Sequence, residues 1–329
     1  MTQLVTGILG LGAYVPERVM TNDEWAEWVD TSDEWITTRT GISTRRIAAP
    51  EQSTVDLAEA AARRALDDAG LEVGDIDEII VATDTPEVFL PDTASYLQTR
   101  LGARTVPAFD MAGSGCAGFV FGLDVAHSRA ATRGRRVLLV GVELLTRIMN
   151  WRDRSTCVLF GDAAGAVVVG AGEHAVELLS CTAGTDGSRA EILCLETGGT
   201  RRPFSLEAAE RGEHQDIIMI GREVFKEAVT RMGAAARRVL EEAGVGIDEV
   251  ALVVPHQANR RIINAVQRAL GVDEETMFVN VQNYGNTGSA SVPLALWEAR
   301  SQGRIRPGDL VLLTAFGAGF HWAAALLRF

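Results

Sequence analysis

The chain repeats itself, and that constrains its fold more than any local signal. Ala61-Ala-Arg-Arg-Ala-Leu-Asp-Asp-Ala-Gly-Leu71 returns as Ala235-Ala-Arg-Arg-Val-Leu-Glu-Glu-Ala-Gly-Val245, with seven of eleven positions identical and four conservative. Each copy reads as the end of an amphipathic helix closed by a C-cap glycine, Gly70 or Gly244. Each then runs through Ile-Asp-Glu into an apolar strand, Ile79–Ala82 or Val250–Val254. Val106–Asp110 and Met277–Val281 read as short strands leading into glycine turns, Gly115-Cys-Ala-Gly118 and Gly285-Asn-Thr-Gly288. Both turns open a helix, and a basic loop and another apolar strand follow (Arg136–Val142; Leu310–Ala315). Any βα units look alike, but the separation between these copies drifts only from 174 to 170 residues. Strands alternating with helices predict mainly parallel sheets covered by helices. Two copies predict an α/β protein of two pseudo-symmetric βα halves, 1–172 and 173–329, each with its own sheet.

The repeat also points to chemistry. Cys116 and Asn286 occupy corresponding turns, so symmetry places both at the start of central helices near the junction of the halves, where clefts are common. A lone cysteine is ordinarily a small buried hydrophobe, the reading for Cys157, Cys181 and Cys194. Cys116 differs because Ala112-Gly-Ser-Gly-Cys-Ala-Gly118 aims its sulfur at a helix N-terminus, where free N–H groups favour thiolate. Thiolate is the nucleophile that thioester exchange requires. His256 ends the strand of Val253-Val-Pro-His-Gln-Ala-Asn259, facing the crevice where α/β ligands bind, although a histidine there also serves as an ordinary helix neighbour. Asn286 alone is turn chemistry; with His256 it offers two donors that could converge on one thioester oxygen. Gly317-Ala-Gly319 follows an apolar strand, and such a turn either is an ordinary tight turn or leaves N–H groups free for an oxyanion. His321, just beyond, is a candidate for the pocket wall.

Composition narrows the partners. The four cysteines form no CxxC pair and there are only five histidines, so neither a metal site nor a disulfide framework is expected. A net charge of −13 argues against nucleic acid or anionic membrane as the main partner, though not against a local basic patch. No apolar stretch approaches the ~20 residues that span a bilayer, and Met1-Thr-Gln-Leu4 lacks a signal-peptide pattern. A soluble, cytoplasmic protein is expected.

Seven segments together resemble β-ketoacyl-ACP synthase III, the initiating condensing enzymes of type II fatty acid synthesis within the thiolase-like superfamily. They are Thr31-Ser-Asp-Glu-Trp-Ile-Thr-Thr-Arg-Thr-Gly41, Gly113-Ser-Gly-Cys-Ala-Gly118, Phe160-Gly-Asp-Ala-Ala-Gly165, Val224-Phe-Lys226, Pro255-His-Gln-Ala-Asn259, Tyr284-Gly-Asn-Thr287 and Phe316-Gly-Ala-Gly319. The resemblance implies a thiolase-like α-β-α-β-α sandwich, a homodimer, and decarboxylative condensation of an acyl-CoA primer with malonyl-ACP, with acyl-CoA as substrate and no cofactor. It implies Cys116 as nucleophile, His256 and Asn286 as its catalytic partners, and an oxyanion hole from Cys116 and Ala318. Phe316 would support decarboxylation. CoA contacts fall on Trp35, Arg39, Arg154 and Asn259, and an ACP-binding patch on Lys226, Arg261 and Arg268. Three departures bear on the primer: His321 replaces the usual Thr or Ser, Gly288 the usual Ser or Ala, and Thr85–Asp92 differs by one residue from common members. The alternatives are a related synthase or acyltransferase of specialised metabolism, or a non-catalytic thiolase-fold partner protein. The intact Cys116, His256 and Asn286 set counts against the last.

Overall fold

The computed structural model describes residues 4–329; the reading of Met1 to Gln3 lies outside them. Among the described residues, one mixed sheet contains β1 (Val5–Tyr14), β2 (Glu78–Thr83), β3 (Ala108–Ala112), β4 (Val137–Leu144), β5 (Asp162–Gly172), β6 (Val176–Thr185), β7 (Val250–Pro255), β8 (Leu310–Gly317) and β9 (His321–Arg328). Helices of eight residues or more are α1 (Asp33–Thr40), α2 (Thr54–Ala69), α3 (Thr93–Leu101), α4 (Gly118–Arg133), α5 (Gly221–Ala243), α6 (Arg260–Leu270) and α7 (Ser291–Ser301). None is long and apolar enough to cross a membrane.

The strand order, β7-β8-β9-β6-β1-β5-β4-β2-β3, is the duplication made visible. β1 and β6, ten residues each and 171 positions apart, sit at its centre. They meet antiparallel through only two pairs, Gly7 with Glu177 and Ile8 with Val176. The two expected sheets are therefore joined edge to edge into one. The expectation of mainly parallel strands is corrected as well. Only β3–β2–β4 and β7–β8 pair parallel; the remaining ladders are antiparallel. The three residues between β8 and β9 are far too few for a parallel crossover, which takes a dozen or more. The strand expected over Met277–Val281 is reduced to one bridge, Met277 with Val253, and a short helix, Val281–Tyr284. Gln257 explains the loss: its Oε1 accepts the N–H groups of Asn280 (3.0 Å) and Val281 (3.2 Å), replacing a ladder partner.

Period-two burial sorts the layers. Along β4, Leu138, Val140, Val142 and Leu144 face a core completed by α2 and α3, while Val137 and Leu139 face a central core with α4 and α7. Along β8, Val311, Leu313 and Ala315 join that central core, while Leu312 and Phe316 pack towards α5 and α6. The result is the α-β-α-β-α layering, with α4 touching strands of both halves. Gly122 lets α4 lie close on β4, because a Cβ there would run into Leu139. A larger residue would cost roughly 1–3 kcal/mol of strain and displace the helix that carries Cys116 at its N-terminal end.

Candidate active site

Cys116 lies in a single 3-10 turn, Gly115–Ala117, that feeds directly into α4. Gly115 holds a left-handed φ of 58°, and a Cβ there would collide with the backbone of Ala318. A Cβ on Gly317 would likewise strike the amide of Cys116. The turn after β8 and the nucleophile turn thus touch backbone to backbone, which only glycine permits. Cys116 keeps some accessible surface although protein surrounds it. Burial, then the carboxyl groups of Asp84 and Glu143, push its thiol up, while the nearby Asn286 side chain favours thiolate. The helix terminus therefore works against a desolvated and acid-flanked setting, which composition could not reveal.

His256 follows β7, and its N–H donates to Thr314 O at 2.8 Å. Its Nδ1 lies 2.6 Å from Ser291 Oγ, the first residue of α7. Ser291 Oγ also accepts a long bond from Gln257 N–H (3.4 Å), so its own proton is free for Nδ1. That leaves the ring proton on Nε2, which has no protein partner among the described residues. Burial lowers His256 to about 3, so the imidazole is neutral at physiological pH. Asn286 belongs to the opposing half-turn. Its Oδ1 accepts Gly288 N–H at 2.9 Å, which leaves the NH₂ group as a donor on the side of Cys116. The Phe160-Gly161 segment pins it, through Asn286 N–H to Leu159 O (2.8 Å) and Gly161 N–H to Asn286 O (3.0 Å). Cys116, Ala318 and Asn286 are thus brought together, with neutral His256 on the neighbouring strand end. Phe316 is buried, its ring 4.8 Å from that of Phe320.

Three residues around the site lay outside the sequence reading. Ser291 sits in no motif. Asp84 follows Thr83, the repeat counterpart of His256, so the strand-end argument stopped one residue short of it. Glu143 is fully buried at the end of β4, where it accepts from Thr85 Oγ (2.8 Å), Ser289 Oγ (2.8 Å) and Asp84 N–H (3.1 Å). A Cβ on Gly288 would hit its side chain, which accounts for glycine at that position. Burial, then the Asp84 carboxyl, raise Glu143 to about 8. A raised carboxyl makes the folded chain hold a proton that the unfolded chain releases, so stability falls as pH rises towards 8. Below about 6.5, unfolded His256 binds protons and works the other way. Between pH 6.5 and 8 the melting temperature of the wild type should therefore fall more steeply than that of Glu143→Gln, by roughly 2–3 °C per pH unit. Equal slopes in a pair of thermal scans would refute this role for Glu143.

The remaining expected contacts form two groups. The guanidinium groups of Arg39 and Arg154 lie over the Trp35 ring at 4.6 and 4.8 Å, so these three residues do converge. Asn259 caps α6, its Oδ1 accepting Ile262 N–H at 3.0 Å. Lys226, Arg261 and Arg268 are exposed, and among the described residues none has a carboxylate within 4.0 Å. Arg261 stacks over Phe225 at 5.9 Å, joining α6 to α5 beside Lys226. A cavity of about 500 Å³ between Val5, Leu9, Arg300, Arg306 and Phe329 shares no residue with these groups.

Known proteins resemble the chain throughout. The family model for 3-oxoacyl-[acyl-carrier-protein (ACP)] synthase III matches residues 109–187, and the model for its C-terminal part matches residues 240–329. The β-ketoacyl-[acyl-carrier-protein] synthase III of Caldanaerobacter subterraneus subsp. tengcongensis is 47% identical, over 99% of this chain and 98% of its own. That of Roseiflexus sp. is 49% identical over 97% of each. A crystal structure of 3-oxoacyl-[acyl-carrier-protein] synthase III from Aquifex aeolicus superimposes with a TM-score of 0.90 at 46% identity, covering 98% of this chain and 100% of the other.

Proposed function

The chain belongs to the 3-oxoacyl-[acyl-carrier-protein] synthase III family, and on that premise we propose how its own residues carry out the family's reaction. The protein is an acyltransferase that condenses an acyl-CoA primer with malonyl-ACP to 3-ketoacyl-ACP and starts fatty acid synthesis. Cys116 sulfur attacks the acyl-CoA carbonyl, the N–H groups of Cys116 and Ala318 hold the oxyanion, and CoA leaves as the thiol carrying the cysteine's proton. Malonyl-ACP then enters. His256 Nε2–H and the Asn286 NH₂ donate to its thioester oxygen, stabilising the enolate formed as the bond to the carboxylate breaks and CO₂ departs. The enolate carbon attacks the acyl-Cys116 carbonyl, and the sulfur leaves as thiolate, which takes a proton from solvent to restore the thiol. Phe316 offers the departing carboxylate an apolar surface that favours its loss as neutral CO₂. Loss of CO₂ supplies the driving force, so neither a metal nor a redox cofactor is needed.

The observation that carries this reading is the meeting of two equivalent turns, one from each half: Gly115–Ala117, which holds Cys116, packs against Gly288–Ala290, which follows Asn286. The two halves, 1–172 and 173–329, then divide the work between nucleophile and decarboxylation donors. The assay that tests it supplies acyl-CoA and malonyl-ACP; 3-ketoacyl-ACP with equimolar CO₂ is expected, and any other product would refute it.

Trp35, Arg39, Arg154 and Asn259 serve the CoA end. Trp35 already has a cation over its ring, the arrangement in which a planar base can replace a guanidinium. Trp35→Ala should raise KM for acyl-CoA about tenfold, the worth of one stacked base, with kcat little changed. A fall in kcat at constant KM would contradict it. The unpaired Lys226, Arg261 and Arg268 give an acidic enzyme a local field for an acidic carrier. The reading includes a homodimer in the cytoplasm. Its support is the unpaired outer edge of β3 and the nearby Phe89 and Leu90, 84% and 85% exposed.

A further inference from the structure

A buried cation stands behind the Asn286 turn, and the reaction leaves it without a task. Arg45 lies in the short strand Thr44–Ile47, which pairs antiparallel with Arg18–Thr21. Its side chain is fully buried, and its guanidinium spans two neutral acceptors, Asn22 Oδ1 and Val158 O, each at 2.6 Å. Burial pushes it down to about 10, so it stays charged at physiological pH. Withdrawing a guanidinium from water is costly, and apolar residues of similar volume often serve stability better. What a planar fork supplies instead is fixed geometry.

The geometry it fixes belongs to a decarboxylation donor. Val158 O is one residue from Leu159 O, which accepts Asn286 N–H at 2.8 Å, and Gly161 N–H donates to Asn286 O at 3.0 Å. Phe160, between them, forms an isolated parallel bridge with Asn286. The stem of Arg45 reaches the same place. A Cβ on Gly161 would come 3.1 Å from Arg45 Cβ, and a Cβ on Gly285 would come 3.5 Å from it. Arg45 therefore packs against a hydrogen-bonded partner of Asn286 and against its chain neighbour. Just before it, Ser43 N–H donates to Gln282 O and Thr44 Oγ1 to Asn283 O, both at 2.9 Å. Asn22 carries the hold outward, its Nδ2 donating to Ile42 O at 2.7 Å and to Asp33 Oδ1 at 2.8 Å. Asp33 opens α1, the helix of Trp35 and Arg39. One guanidinium thus joins that helix to the turn of Asn286.

We propose that Arg45 is a positioning residue for the condensation step: it clamps the Val158–Gly161 segment against the Asn286 turn and so aims the Asn286 NH₂ at the thioester oxygen. The proposal rests on Asn286 as a decarboxylation donor. It does not require Arg45 to touch substrate.

The test is a double-mutant cycle of Arg45→Lys with Asn286→Ala, in which acyl transfer and condensation are read separately and each variant is melted. Lysine keeps the charge but lacks the fork that spans Asn22 and Val158. In the wild-type background Arg45→Lys should lower kcat for condensation about tenfold to a hundredfold, the effect of a misplaced reacting group, and acyl transfer less than about threefold. In the Asn286→Ala background the same substitution should change condensation by less than about twofold, because the donor it positions is gone. A proportional loss of both half-reactions, or an undiminished loss in the Asn286→Ala background, overturns the proposal. Where Arg45→Lys does not fold, Asn22→Ala carries the cycle: it keeps the buried cation, withdraws one of its two acceptors, and is decided by the same outcomes. If Asn286→Ala alone condensed at the wild-type rate, the reading of the donors would fall, and this proposal with it.

Discussion

Cys116→Ala should lower condensation at least about 10⁴-fold, the scale seen when a covalent nucleophile is removed from a working site. The alanine variant has no atom to hold the acyl group between the two half-reactions, so the loss falls on the first step. Decarboxylation of malonyl-ACP should survive, because His256 and Asn286 remain in place on other elements. The substitution also relieves a desolvated thiol that burial, Asp84 and Glu143 all hold in its neutral form. Carbon dioxide release without 3-ketoacyl-ACP is the expected outcome. Condensation by the variant at more than a few per cent of the wild-type rate would contradict the covalent route.

His256→Ala and Asn286→Ala should each lower condensation about 10²–10³-fold, the usual effect of removing one oxyanion donor. Acyl transfer should suffer much less, since neither donor serves the first tetrahedral intermediate. Asn286→Ala should slow acyl transfer more than His256→Ala does, because the Asn286 side chain also favours the Cys116 thiolate. His256 is buried, pushed down to about 3, and has Ser291 rather than a carboxylate at Nδ1. The condensation rate should therefore show no inflection near 6.5, the ordinary histidine value. Equal loss of both half-reactions, or a clear histidine inflection, would count against the assigned roles.

Much of this was legible in the sequence because it rests on local patterns. The duplicated Ala61–Leu71 and Ala235–Val245 segments forecast two halves, and β1 and β6 meet at their centre as equivalent strands. Glycine turns located Cys116 and Asn286, since backbones this close exclude a Cβ at Gly115 and Gly317. Strand direction was not legible. The β8–β9 connection is antiparallel through a three-residue turn, which alternation of strand and helix does not disclose. The Met277 strand failed because a side chain, Gln257, took the bonds that a strand would have offered. Asp84 and Glu143 were invisible for a related reason. A carboxyl group in a strand-end sequence looks solvated, and only packing shows that Glu143 is buried and Asp84 half-buried. The departures at His321 and Gly288 now have neighbours: His321 lies against Thr185 and Phe121, and Gly288 makes room for Glu143.

The central claim is that Cys116 carries the primer, and intact-protein mass measurement after brief exposure to acyl-CoA tests it most directly. The wild type should gain the mass of one acyl group and lose it on addition of malonyl-ACP, while Cys116→Ala should gain nothing. The same adduct on Cys116→Ala, or a wild-type adduct that malonyl-ACP cannot discharge, would contradict the account.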